Sequence, residues 1–128
     1  MVTSSDRQLQ IIIWVLKIGV FGIFLGHGIY AILVNPKWIP FLEIVGFSNE
    51  LAAQIMPYIG YLDILVAISV LVKPLRPVLI WATFWAFLTA VMRPIAGGSL
   101  LDFIERAGNW ATPLALLFLL KWRDTFLK

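Results

Sequence analysis

Apolar residues fill four long stretches of this chain, divided by short polar or proline-bearing breaks, and the lengths of the stretches predict four helices. The first covers residues 9–34 behind a polar opening, Met1–Gln8, in which Ser5-x-x-Gln8 has the form of a capping box. At a rise of about 1.5 Å per residue, its roughly 25 residues exceed the ~30 Å of bilayer hydrocarbon and allow it to span with some tilt. Lys17 sits near enough to the start to snorkel back to that side. The segment is long and glycine-rich, and no small-x-small site follows its apolar core, so it is expected to remain as a helix and not be removed as a signal peptide.

Asn35-Pro36 closes this helix, and Lys37–Phe47, with Trp38, Pro40, Phe41 and Gly46, reads as a connection lying in a membrane interface. Ser48 or Asn49 caps the second helix, 50–72. Pro57 near its entrance removes the hydrogen bond to the Ala53 carbonyl and predicts a kink or a split. The short turn Lys73-Pro74-Leu75-Arg76-Pro77 makes the second and third helices expected antiparallel neighbours. The third helix, 78–95, is aromatic in its first half through Trp81, Phe84, Trp85 and Phe87, and is closed by Pro94 and Gly97-Gly98. Ser99-x-x-Asp102 caps the fourth, 101–122, whose acidic first turn (Asp102, Glu105) suits the positive end of a helix dipole. No second domain, low-complexity segment or internal repeat is visible.

Composition turns these helices into membrane spans. The 128 residues are 61% hydrophobic and 13% charged, with a mean hydropathy of +0.92, well beyond a soluble domain of this size. The expected fold class is therefore all-α, a polytopic transmembrane four-helix bundle forming one domain over residues 1–128. The net charge of +3 sits at helix ends, where anionic lipid and orientation account for it and a nucleic-acid partner is not needed. Absence of cysteine excludes thiolate metal sites, iron–sulfur clusters and thiol relays formed by this chain alone, and a single histidine excludes bis-His haem within one subunit. No metal site is expected. Four spans put Arg7, Lys73, Arg76, Lys121, Arg123 and Lys128 on one side and Lys37, Arg93 and Arg106 on the other, which predicts cytoplasmic termini.

With that orientation the polar residues converge on the outer half. The stretch Arg93–Pro113 alone holds two arginines, two carboxylates and Asn109 between apolar helices. His27 lies in the outer half of the first helix and Asp63 near mid-depth of the second. His27, Asp63, Arg93, Glu105 and Asn109 are the candidate ligand-binding set. On a continuous fourth helix, Glu105, Asn109 and Thr112 share a face, while Asp102 and Arg106 form an i, i+4 structural polar pair. Arg93 is expected to pair with Glu105, and His27 with Asp63. A plainer reading stands beside each: Arg93, Asp102 and Arg106 as interfacial residues of the hairpin, His27 as a hydrogen-bonded interior residue, and Gly19, Gly22 and Gly26 as a packing stripe. Asp63 is the hardest to explain away, because a carboxyl at mid-depth needs a partner or a proton. Met56, Gly60, Asp63 and Ala67 repeat the small-residue logic on the second helix. Trp81 and Trp85 face lipid or core, or stack on a ring-shaped ligand.

G-H-G at Gly26–Gly28, Gly60-x-x-Asp63 followed by L-V-K-P-L-R, R-P-I-A-G at Arg93–Gly97 and E-R-A-G-N-W at Glu105–Trp110 occur in an order and spacing that resembles the DoxX-like family of small four-helix membrane proteins, over nearly the whole chain. The family includes a subunit linked to thiosulfate:quinone oxidoreductase, and animal receptor-assembly chaperones resemble it distantly. The resemblance implies the four-helix fold and a quinone or redox neighbourhood. Two departures stand out: Asp63 occupies a position where many relatives carry glutamate, and the lack of cysteine leaves this chain without sulfur chemistry of its own.

Two functions compete. One is a membrane subunit, accessory to an oxidoreductase of the bacterial inner membrane, that binds a quinone or similar amphiphile in an outer-half polar pocket. The other is an assembly or scaffold subunit whose polar cluster is purely structural and which docks other membrane proteins or a second copy of itself. No self-sufficient catalytic constellation is present in the sequence.

Overall fold

In a computed structural model, which describes residues 3–126, the chain is all-helical: α1 (Ser4–Ile32), a 3-10 turn at Pro36–Trp38, α2 (Ile39–Ile44), α3 (Asn49–Val72), α4 (Arg76–Ile95), α5 (Leu100–Glu105) and α6 (Ala107–Phe126). Helices α1, α3 and α4 are long and apolar enough to cross a membrane, and large apolar side chains such as Val15, Tyr58, Leu65, Val72 and Phe84 are exposed along them. On helices of this length and hydropathy, such surfaces fit contact with lipid. The chain is an integral membrane protein.

The helix starts follow from capping chemistry. Thr3 and Asp6, not Ser5 and Gln8, make the first capping box: Thr3 Oγ1 accepts from the Asp6 N–H at 3.0 Å, and Asp6 returns an acceptor to the Thr3 N–H at 3.2 Å. A carboxylate at that position also meets the positive end of the dipole, which glutamine does not. Ser48 caps α3 through the Leu51 N–H. The third long helix begins at Arg76, two residues earlier than its apolar pattern suggests, because Pro77 in a first turn has no N–H to leave unsatisfied. Pro57 is accommodated inside α3, which stays one continuous helix and is not split. Its expected connection Lys37–Phe47 contains the short helix α2. At the end of α4, Gly97 takes φ +100, a left-handed conformation open to glycine, and the Gly98 N–H returns to the Arg93 carbonyl at 2.9 Å.

The expected fourth helix is interrupted. It is split at Arg106 into α5 and α6; Gly108 and Asn109, both poor helix formers, stand in the first turn of α6, and the Asn109 N–H bonds back to the Arg106 carbonyl at 2.9 Å. This break changes the register of every residue paired across it on paper.

Each long helix buries one stripe. On α1 it is Ile13, Lys17, Val20, Phe24, Gly28 and Ala31; on α3 Ala52, Met56, Gly60, Asp63, Ala67 and Val70; on α4 Leu79, Ala82, Ala86 and Ala90. Steps of three and four residues place each set on one face. Helix α1 packs on α3 along most of its length and on α6 behind it, and α6 packs on α4. The order around the bundle is thus α3, α1, α6, α4. Helices α3 and α4, the expected antiparallel neighbours, are joined by a three-residue connection, Lys73–Leu75, but scarcely touch along their length. At that end Asp124 of α6 reaches Arg76 of α4 at 3.9 Å.

The tightest point is where α1 crosses α3. A Cβ on Gly60 would stand 2.5 Å from the Gly28 carbonyl and 2.8 Å from the Ile32 N, and one on Gly28 would stand 2.8 Å from the Gly60 carbonyl. The contact is Gly28 against Gly60, whereas Gly26 and Gly22 of the expected stripe have open space where a Cβ would go, and Gly19 faces Thr112 of α6. Lys17 is buried, with its Nζ 3.9 Å from the Trp14 ring centroid, one turn toward the helix start. The amine thus turns back toward the start of α1, over the Trp14 indole, in cation–π attraction.

Gly60→Ala is expected to force α1 and α3 apart and cost about 1–3 kcal/mol, while Gly22→Ala should be neutral or slightly stabilising through helix propensity. Reversible unfolding of both variants in mixed micelles measures the difference; equal loss in the two would place the close contact elsewhere.

Candidate functional site

Because α3 and α4 stand apart, a cavity of about 350 Å3 lies between them. Ala31 and His27 of α1 form its back wall; Met56, Ile59 and Asp63 come from α3 and Trp85, Thr89 and Arg93 from α4. Trp38, Phe41, Val45 and Phe47, from the segment containing α2, roof it at the end where α3 begins and α4 finishes. Two backbone turns flank this roof, Val34 at φ +55 and Gly46 at φ +108. A β-branched residue in the left-handed region is strained, by roughly 1–3 kcal/mol.

Three of the five candidate ligand-binding residues meet here. Asp63 is 3% exposed, and its Oδ1 has no hydrogen-bond partner among the described residues. The Trp85 indole N–H is the donor beside the carboxyl, short of full hydrogen-bond geometry. Leaving such an atom unmatched costs roughly 1–3 kcal/mol. Trp85 is itself held by stacking on Trp81, with centroids 5.4 Å apart and planes 12° from parallel. Toward the roof, His27 presents its ring to the edge of Trp38 at 5.7 Å, and the Arg93 guanidinium lies 5.2 Å from the Phe41 centroid. The Arg93 Nε is buried and unpartnered. Arg106, whose Nε is likewise buried and unpartnered, lies within electrostatic reach of both Arg93 and His27.

Glu105 and Asn109 do not line this cavity. Glu105 is exposed, and Asn109 follows the break at Arg106, so the continuous face that grouped them with Thr112 does not exist. Thr112 instead donates to the Gly108 carbonyl at 2.6 Å. The expected ion pairs are also absent among the described residues, where salt bridges join Asp124 to Arg76 and Arg123. Asp102 does not bridge to Arg106. Its carboxylate caps α5, accepting from the Ser99 N–H at 3.1 Å, and the helix ends before the i+4 position is reached. Arg93 does not form a salt bridge with Glu105, which is exposed. His27 and Asp63 share a cavity but no hydrogen bond, since the α1–α3 register is set by Gly28 and Gly60, not by Gly26. Sequence reasoning missed the walls, above all Trp38, Phe41 and Thr89. The roof aromatics were visible as interfacial anchors, but nothing in their spacing says they fold over the gap.

Among the described residues no three metal-ligating side chains come together. What the arrangement offers is an apolar slot, open between two helices, with a carboxyl deep inside and positive charge near the roof. No family model, curated protein or solved structure matches this chain.

Glu105→Ala should leave stability within about 0.5 kcal/mol of the parent, as for exposed sites generally, whereas Asp102→Ala removes a capping partner and should cost about 0.5–2 kcal/mol. Thermal unfolding in detergent compares them. A large loss for Glu105→Ala would restore the pair with Arg93.

Proposed function

We propose that this protein binds a membrane-soluble amphiphile in the cavity between α3 and α4 and presents it to a partner enzyme, as an accessory subunit of a membrane oxidoreductase of the DoxX-like type. The observation that carries the reading is Asp63: a nearly fully buried carboxyl with an unpartnered oxygen, facing a cavity whose size falls at the lower end of ordinary ligand pockets. An ionisable group inside a span is by default a functional group. An amphiphile enters sideways from lipid between α3 and α4. Its polar groups meet Asp63 deep in the slot or Arg93 and His27 toward the roof, and a flat ring lies against Trp85. A quinone, suggested by the motif resemblance, is one member of this class. Asp63 supplies a hydrogen bond and a place for a proton; the partner carries the redox chemistry.

In this reading all four long helices cross the bilayer, α6 included, with both termini in the cytoplasm and the roof on the outer face of a bacterial inner membrane. The six-to-three division of basic residues supports it. Because the chain lacks cysteine, single cysteines at Arg7 and Glu43 report sidedness directly: a membrane-impermeant maleimide added to intact cells should label Glu43→Cys and spare Arg7→Cys. The reverse pattern would put the roof on the inner face.

Occupancy has its own test. Lipid-soluble extracts of the purified protein should contain an amphiphile at about one per chain, lost in Thr89→Phe, whose added ring fills the cavity. A parent preparation that carries no such molecule yet retains a stoichiometric protein partner would favour the scaffold reading.

A further inference from the structure

Beside His27 on α1, the cavity has two polar places with an unpartnered atom, and they lie at different depths along α4. The deep one is the Asp63 Oδ1, beside Trp85; the shallow one is the Arg93 Nε, beneath Phe41. Both atoms are buried and lack partners among the described residues, and both side chains line the same cavity. Trp85 and Arg93 are eight residues apart in one helix, which at ~1.5 Å per residue separates the two levels by about 12 Å. Between the two, Leu88, Thr89 and Met92 of α4 and Ile55, Met56 and Ile59 of α3 form a wall that is almost wholly apolar.

At the shallow place no carboxylate is joined to a guanidinium by a salt bridge. Arg93 and Arg106 stand within electrostatic reach of each other, with Asp102 and Glu105 as the nearby carboxylates. Asp102 is occupied by the Ser99 N–H, and Glu105 is exposed; neither forms a salt bridge to either arginine. Guanidinium groups gain most from carboxylate or phosphate oxygens.

Resting on the amphiphile-binding reading above, we propose that the ligand is an elongated anionic amphiphile with a second hydrogen-bonding group: its acidic head sits at Arg93 with Arg106 behind, its apolar body lies along α4, and a hydroxyl or similar group on that body meets Asp63. A hydroxylated long-chain carboxylate is the simplest molecule of this class. A ring head bearing two carbonyls a few ångströms apart reaches one of the two places but not both.

Equilibrium binding to the full-length protein in a non-ionic detergent, with radiolabelled 10-hydroxyoctadecanoate displaced by unlabelled compounds, tests each end separately. Octadecanoate lacks the inner hydroxyl and 1,10-octadecanediol lacks the charge; each should bind on the order of tenfold more weakly than the hydroxy acid, the factor expected of one buried, charge-assisted hydrogen bond. Arg93→Gln should bring the hydroxy acid down to the diol without changing the diol. Asp63→Ala should bring it down to octadecanoate, and Asp63→Asn, which keeps a hydrogen-bonding group in place, should recover part of the difference. Circular dichroism and thermal unfolding of each variant confirm that it is folded. Equal affinity of the parent for hydroxy acid and octadecanoate, or an Arg93→Gln variant that binds the hydroxy acid undiminished, overturns the ligand class. Decylubiquinone separates that failure from a deeper one. If the quinone binds the parent and not Thr89→Phe while the hydroxy acid does not bind, the class is wrong and the amphiphile site stands; if no probe distinguishes the parent from Thr89→Phe, both fall.

Discussion

Everything in this bundle depends on two backbones meeting at Gly28 and Gly60. In lipid there is no water to expel from between helices, so association rests on close van der Waals packing, and glycine permits the closest. That single crossing fixes how α1 and α3 slide along one another. It aligns the buried stripes of both helices, and it carries Asp63, three residues past Gly60, onto the interior face. With α1 committed to α3 on one side and α6 on the other, α4 is reached only through α6. The gap opposite is the geometric remainder of those contacts, and it becomes the cavity.

The polar residues then divide by what surrounds them. Asp102 is spent on a helix start, Asp124 on a link between α4 and α6 at the opposite end, and Lys17 on an indole face. Asp63 and Arg93 are left with unmatched atoms, and both face the same space. In a low-dielectric interior an unmatched polar atom is expensive, so its persistence in two members of one cavity wall is informative in a way that a charged residue on a loop is not. The aromatic residues around them add rigid, flat surface: stacking holds Trp85 to Trp81, and edge contacts hold Trp38 against His27 and Tyr30.

Much of the fold was legible because its signals are local. Apolar length marks the spans, Ser48 and Ser99 mark two helix starts, and the small residues around Gly60 mark a packing face. The candidate site was legible in part for the same reason: Asp63 is conspicuous by chemistry alone, wherever its helix packs. What failed were inferences that needed a register or a neighbour. The pairing of Asp102 with Arg106 assumed a helix that continues past Glu105; Gly108 and Asn109 carried the contrary signal. The gap between α3 and α4 was not legible either, since a short turn constrains two ends and leaves the axes free to diverge. The choice of Gly28 over Gly26 was beyond reach, since glycines two residues apart differ only in the direction each faces.

The splaying of α3 from α4 also has a meaning in the order of synthesis. Domains made from the N-terminus onward can settle their early contacts first, and α1 and α3 have each other as soon as both are in the membrane. Helix α4 finds little to hold it there. Its main support is α6, which emerges after it, and the Arg76–Asp124 link lies close to the end of that helix. The wall that carries Trp85, Thr89 and Arg93 is therefore set late, so a nascent chain halted before α6 has the acid of the cavity in place and no opposite side to close around it.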